Sequence, residues 1–203
     1  MAVVLLIAIT PAWPAWAGYL LVWAVLLGAV AAAVSRRPPS GGIADPSESI
    51  RFGLTWMDVV LGAFVGLLLR MALIVTELFT VGYVSSSSSV FAVPHDFLWI
   101  ATAVIAPAFV APVVEELFFR GLVLPAIGVN WIGIVASAII FSAVHLAYGF
   151  NLLTAISTFV VGVVLGVLAA RTGRLGASIT AHVVYNASLI AVSELGGLGS
   201  ING

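Results

Sequence analysis

The sequence contains no cysteine. That absence removes disulfides, thiolate metal sites and thiol nucleophiles together, while leaving the compartment open. Charge is scarce too: acidic and basic residues make up 7% of the 203 residues against 63% hydrophobic ones, where a soluble domain carries about a quarter charged residues. A soluble globular domain is therefore excluded. A net charge of −1 with no basic tail gives no footing for nucleic acid as a partner. No basic residue precedes the opening apolar run MAVVLLIAIT, so a cleavable signal peptide is not expected. The soluble zinc-protease pattern His-Glu-x-x-His is missing, Ser142 and Ser188 stand in no nucleophile-elbow pattern, and no internal repeat is evident.

What fills the chain instead is one apolar run after another. A window of about 20 residues per crossing predicts six helices, at Ala15–Val34, Met57–Val84, Phe97–Leu124, Trp131–Ala147, Leu152–Ala170 and Leu175–Leu195. The stretches SRRPPSGGIADPSESIRFG and SSSSSVFAVPHD read as the polar connections. The expected fold is all-α, a polytopic transmembrane bundle of about six spans around a polar intramembrane cavity. Arg36, Arg37 and Arg51 lie in the first connection, Arg120 near the third, and Arg171 and Arg174 in the fifth. All three connections fall on one side of a six-span bundle, and the positive-inside rule makes that side cytoplasmic.

Polar residues inside the apolar runs are few. Glu115, Glu116 and Arg120 stand in the third helix, His145 ends the fourth, and His182 and Asn186 stand in the sixth. A charge at the centre of a membrane helix costs roughly 2.5–3.5 kcal/mol, so these groups are expected to face the interior. Glu116 and Arg120 are four apart with the acid first, the favourable order for a pair on one face. Glu115 is turned about 100° from its neighbour and is left free of that pair. Counting back from the turn at 127–130, Glu115 lies about 18 Å deep and His145 about 22 Å, while His182 and Asn186 enter from the same face. With ordinary tilts of about 20° these helices can converge on one pocket.

A carboxylate, two imidazoles and a carboxamide in such a pocket suit the addition of water to an amide. The glutamate takes a proton from water and later returns it to the leaving amine; an imidazole helps hold the water or ligates a metal that acidifies it; the carboxamide and the other histidine can donate to the oxyanion. Arg70 and Glu77, seven apart on one face of the second helix, are given no chemistry. His95, Asp96 and Glu194 read as loop or interfacial residues.

The ordered set Glu115-Glu116-x-x-x-Arg120, Phe141-x-x-x-His145 and His182-x-x-x-Asn186 resembles the three-motif signature of the CPBP family, which includes type II CAAX prenyl endopeptidases and the bacterial Abi proteins. The resemblance covers roughly Phe97–Leu195. It implies intramembrane proteolysis, with Glu115 and His145 activating water, His182 and Asn186 stabilising the oxyanion, and Glu116, Arg120 and Phe141 supporting them. It divides the chain into N-terminal helices and loops (1–96), a catalytic core (97–195) and a tail (196–203). The implied partners are the bilayer and a membrane-associated protein or peptide substrate; the short, alanine- and valine-rich chain itself reads as bacterial, so the expected location is a multi-pass protein of a bacterial cell membrane. Glu115, His145 and His182 also make a two-histidine, one-carboxylate set able to hold zinc, and water activation without a metal stays open beside it. A non-catalytic immunity or binding protein on the same fold is the alternative. A transporter fits less well, for want of repeats or paired broken helices.

Overall fold

A computed structural model describes residues 15–35, 50–80, 97–146 and 152–199. They form six helices: α1 (Ala15–Ser35), α2 (Trp56–Thr80), α3 (Phe97–Ile127), α4 (Trp131–His145), α5 (Leu152–Thr172) and α6 (Gly176–Gly199). Among the described residues there is no strand, only an isolated bridge between Arg51 and Arg174. The architecture is a helical membrane bundle, and its helices fall where the apolar runs predict. The expected ends of the second and fourth helices, Val84 and Ala147, and the residues Arg36, Arg37, His95 and Asp96 lie outside the described residues.

Local chemistry sets the helix starts. Thr55 and Asp58 cap α2 reciprocally: the backbone N–H of Thr55 donates to Asp58 Oδ2 at 2.9 Å, and that of Asp58 to Thr55 Oγ1 at 3.3 Å, the capping-box arrangement. Asn130 caps α4 by accepting from the Gly133 N–H at 3.1 Å, just after Gly128 turns the chain at φ 128°, a conformation that favours glycine.

Length and hydropathy single out α2, α3 and α5 as able to cross a membrane. Helix α4 has 15 residues, about 22 Å of rise against a hydrocarbon core of about 30 Å. Helix α6 is long enough but carries Ser178, Thr180, His182, Asn186 and Ser188 along its inner stretch, which is the polar load the site requires.

Two contacts lock the bundle. Gly62 and Gly66 of α2 rest on α6 so closely that a Cβ at either would stand 2.5 Å from the carbonyl oxygens of Ala177 and Ala181. This is small-xxx-small packing, by which membrane helices gain contact where lipid supplies no hydrophobic drive. Val161, Leu165 and Leu168 of α5 and Ala177 and Ala181 of α6 form the core beside it. On α2, Phe64, Leu67, Leu68 and Met71 are exposed, an apolar surface suited to lipid.

At one end of the bundle, the Arg51 N–H donates to Gly173 O and the Leu175 N–H to Arg51 O, both at 3.0 Å. The first and fifth connections therefore share a side, as the arginine placement predicts. Asp58 joins them through Arg174, whose Nε and Nη2 donate to its two oxygens at 3.1 Å each. Arg120, counted near the third turn but also among the groups expected to face the interior, has a fully buried side chain.

Candidate active site

Helix α3 is irregular in the two places that matter. Its segments Ala101–Val110 and Phe119–Val123 are wound with five-residue hydrogen bonds, a widening often found at functional sites. The Ala111 N–H reaches back to Ala106 O. In that register the carbonyl of Pro107 faces position 112, which is also proline and has no N–H to offer. The free carbonyl of Pro107 instead accepts from Asn186 Nδ2 at 2.9 Å. One N–H of the Asn186 amide is thereby fixed, and the second is left for another acceptor.

The second widened segment follows the glutamate doublet. Arg120 Nη1 donates to Glu116 Oε1 at 2.7 Å and Nη2 to Gly162 O at 2.9 Å, with its guanidinium carbon 4.8 Å from the Phe141 ring centre. Glu116 and Arg120 are both wholly buried, the setting in which a pair must be well bonded to be tolerated. Glu116 also reaches a second helix, where its Oε1 accepts from His182 Nδ1 at 3.0 Å. His182 Nε2 then points the other way, 3.8 Å from Glu115 Oε2.

Glu115 is the more accessible acid, its side chain 21% exposed while that of Glu116 is shut off. His145 is held by its Nδ1, 2.8 Å from Phe141 O. A carbonyl only accepts, so Nδ1 carries the proton and Nε2 of the neutral ring keeps its lone pair. Phe141 spaces the two imidazoles, its ring centre 4.4 Å from that of His145 and 5.8 Å from that of His182. Ser142 and Ser188 are occupied elsewhere, donating to Ala155 O and Tyr185 O at 2.9 Å.

His145, His182, Asn186 and Phe141 line one cavity of about 640 Å³, within the range of about 300–1,000 Å³ usual for ligand sites. Glu115 does not stand on that wall itself; it meets the cavity through His182. The other lining residues come from the later half of α2 (Leu73, Glu77), the first half of α3 (Ala103, Pro107), the first half of α5 (Leu153 to Val161) and the outer part of α6 (Tyr185 to Ile190). Because successive helices alternate in direction, all of these lie in the half of the bundle away from Arg51 and Arg174.

Among the described residues no three His, Asp or Glu side chains gather as a metal-holding group. As placed, Glu115, His145 and His182 do not fit a zinc ligand set, and no step below runs through a metal. Sequence reasoning brings out the Glu116–Arg120 pair but misses the bonds from Glu116 to His182 and from Asn186 to Pro107. The proline spacing is a readable signal for the second; nothing local signals the first.

Residues 97–188 match the family model described as Type II CAAX prenyl endopeptidase Rce1-like. That segment is a domain of this family. The Rce1-like domain runs from the start of α3 to Ser188 of α6 and contains Glu115, Glu116, Arg120, Phe141, His145, His182 and Asn186. At family level this match supports a CAAX-protease-like membrane endopeptidase, an enzyme class that takes a peptide or protein substrate in a lipid setting. Comparison with curated proteins and with solved structures returned no match.

Proposed function

We propose that the chain hydrolyses a peptide bond of a membrane-associated polypeptide within the cavity, with Glu115 and His145 acting on the attacking water and His182 and Asn186 on the carbonyl oxygen. The observation that carries this reading is the approach of Glu115 Oε2 to His182 Nε2, 3.8 Å across two helices 67 positions apart in sequence. It brings an accessible carboxylate beside an imidazole whose other nitrogen is committed to Glu116. Glu115 takes the proton as water adds to the carbonyl carbon. His145 Nε2, with its lone pair free, orients that water. The spare N–H of Asn186 faces the oxyanion, a stabilisation worth about 2.7–4 kcal/mol per donor, and His182 Nε2 adds a second donor when the ring, set between Glu115 and Glu116, carries both protons. The proton on Glu115 then passes to the leaving amine as the carbon–nitrogen bond breaks, releasing a carboxylate and an amine.

With the arginine-bearing end cytoplasmic, the cavity occupies the opposite half of the membrane, and the substrate segment enters from there. The test is incubation of the purified protein in detergent with a library of apolar peptides in ¹⁸O-labelled water. Fragments carrying one heavy oxygen at the new carboxyl terminus support hydrolysis. An intact library from well-folded protein would give the site over to the non-catalytic binding alternative.

A further inference from the structure

Arg70 lies outside the Rce1-like domain and has no place in the chemistry above, yet it is only 3% exposed. The other described arginines are provided for: Arg120 has Glu116 and Gly162, Arg174 has Asp58, and Arg51 and Arg171 are exposed. Arg70 Nε and Nη1, by contrast, have no hydrogen-bond partner among the described residues. A buried guanidinium with idle N–H groups is costly, and charged groups retained inside a membrane bundle mark substrate or ion sites.

Its position shows what it faces. Helices α2 and α6 run side by side in fixed register, Gly66 against Ala181 and Val184, so Arg70 one turn on comes level with Tyr185. Leu73, Glu77 and Tyr185 all line the cavity, and positions 70, 73 and 77 share one helix face. Arg70 therefore stands behind the α2 wall at the depth of Asn186, the residue next to Tyr185. Glu77 is about 10 Å further along the axis, its Oε2 also without a partner among the described residues.

We infer that Arg70, beside Tyr185, binds a carboxylate of the substrate at the α2 wall of the cavity. Arginine N–H groups suit a carboxylate, and a partner drawn from the substrate supplies the missing acceptor. Glu77 repels an anion two turns away and so directs it to the level of Arg70. The carboxylate comes either from the substrate's own C-terminus or from an acidic side chain near the cleaved bond. This deepens the hydrolytic reading by naming one feature of the substrate.

The experiment is equilibrium binding in detergent, on the Glu115→Gln protein so that the probe is not consumed. The probe is a dansylated hexapeptide of leucine, valine and alanine, made with a free C-terminal carboxylate, as the C-terminal amide, and as the amide carrying one glutamate. One of the two acidic peptides binds about tenfold or more tightly than the plain amide, as desolvated charge pairs do, and which one does so identifies the source. Adding Arg70→Gln brings the acidic peptide down to the affinity of the amide and leaves the amide unchanged; Arg70→Lys restores part of the difference. Equal affinities for all three probes, or no binding of any, overturn the inference, and this comparison needs no Arg70 variant to fold. If wild-type protein cleaves none of the probes while the discrimination persists, the hydrolytic reading fails and the carboxylate site stands. Cleavage without discrimination gives the reverse.

Discussion

The Glu116 carboxylate holds His182 at 3.0 Å across 66 residues of sequence with the same oxygen that meets Arg120 at 2.7 Å. One buried acid thus neutralises a cation on its own helix and fixes the ring of a second helix. Its neighbour Glu115 has no such duties. Glu116→Gln is expected to leave Arg120 buried without a counter-charge and to lower stability by roughly 3–5 kcal/mol. Glu115→Gln is expected to stay within about 0.5 kcal/mol of wild type. Thermal melts of both proteins in one detergent check the order; similar melting points would contradict the division of labour.

Asn186 gives one N–H to Pro107 O, which sets the direction of the other. Asn186→Ala removes an oxyanion donor and leaves the Pro107 carbonyl unpaired. The expected loss is about 10²–10³ in kcat with little change in KM. Peptide turnover measured over a range of substrate concentrations separates the two constants, and a loss confined to KM would assign Asn186 to binding alone.

The close approach of α2 to α6 predicts that Gly62→Val and Gly66→Val each destabilise by roughly 1–3 kcal/mol, since the new Cβ meets a backbone carbonyl that cannot turn aside. Gly28 supplies the control, because nothing lies within 4 Å of a Cβ there. Gly28→Ala in α1 should be neutral or gain up to about 1 kcal/mol. The melting temperatures of the three variants decide.

A chain without cysteine allows single-cysteine labelling with no background. Thr154→Cys, in the cavity wall, is expected to react with a membrane-impermeant maleimide on intact cells, and Arg171→Cys only after lysis. The reverse pattern would place the cavity on the cytoplasmic side.

The helices are legible in the sequence because each apolar run stops at proline, glycine or serine clusters, and α2 and α5 begin within a residue of their expected starts. The Glu116–Arg120 pair is legible because four residues make a little more than one turn of a single helix. What the sequence hides depends on how separate helices rotate against one another. Nothing near His182 reveals that its partner is Glu116 rather than Glu115, since the two acids differ only by a rotation of α3. For Arg120 the pairing is legible but the surroundings are not: the Gly162 carbonyl and the Phe141 ring that it meets belong to other helices. The neighbourhood of Arg70 follows from the glycine contact between α2 and α6, which spacing within α2 alone does not disclose.

The most direct test of the proposed chemistry is the turnover of Glu115→Gln in the labelled-water peptide assay, read beside its melting temperature. A glutamate that carries the proton of the attacking water predicts a rate loss of about 10²–10⁴ with an unchanged melting point. Turnover within about twofold of wild type, far short of a lost general base, would contradict it and remove Glu115 from the chemistry.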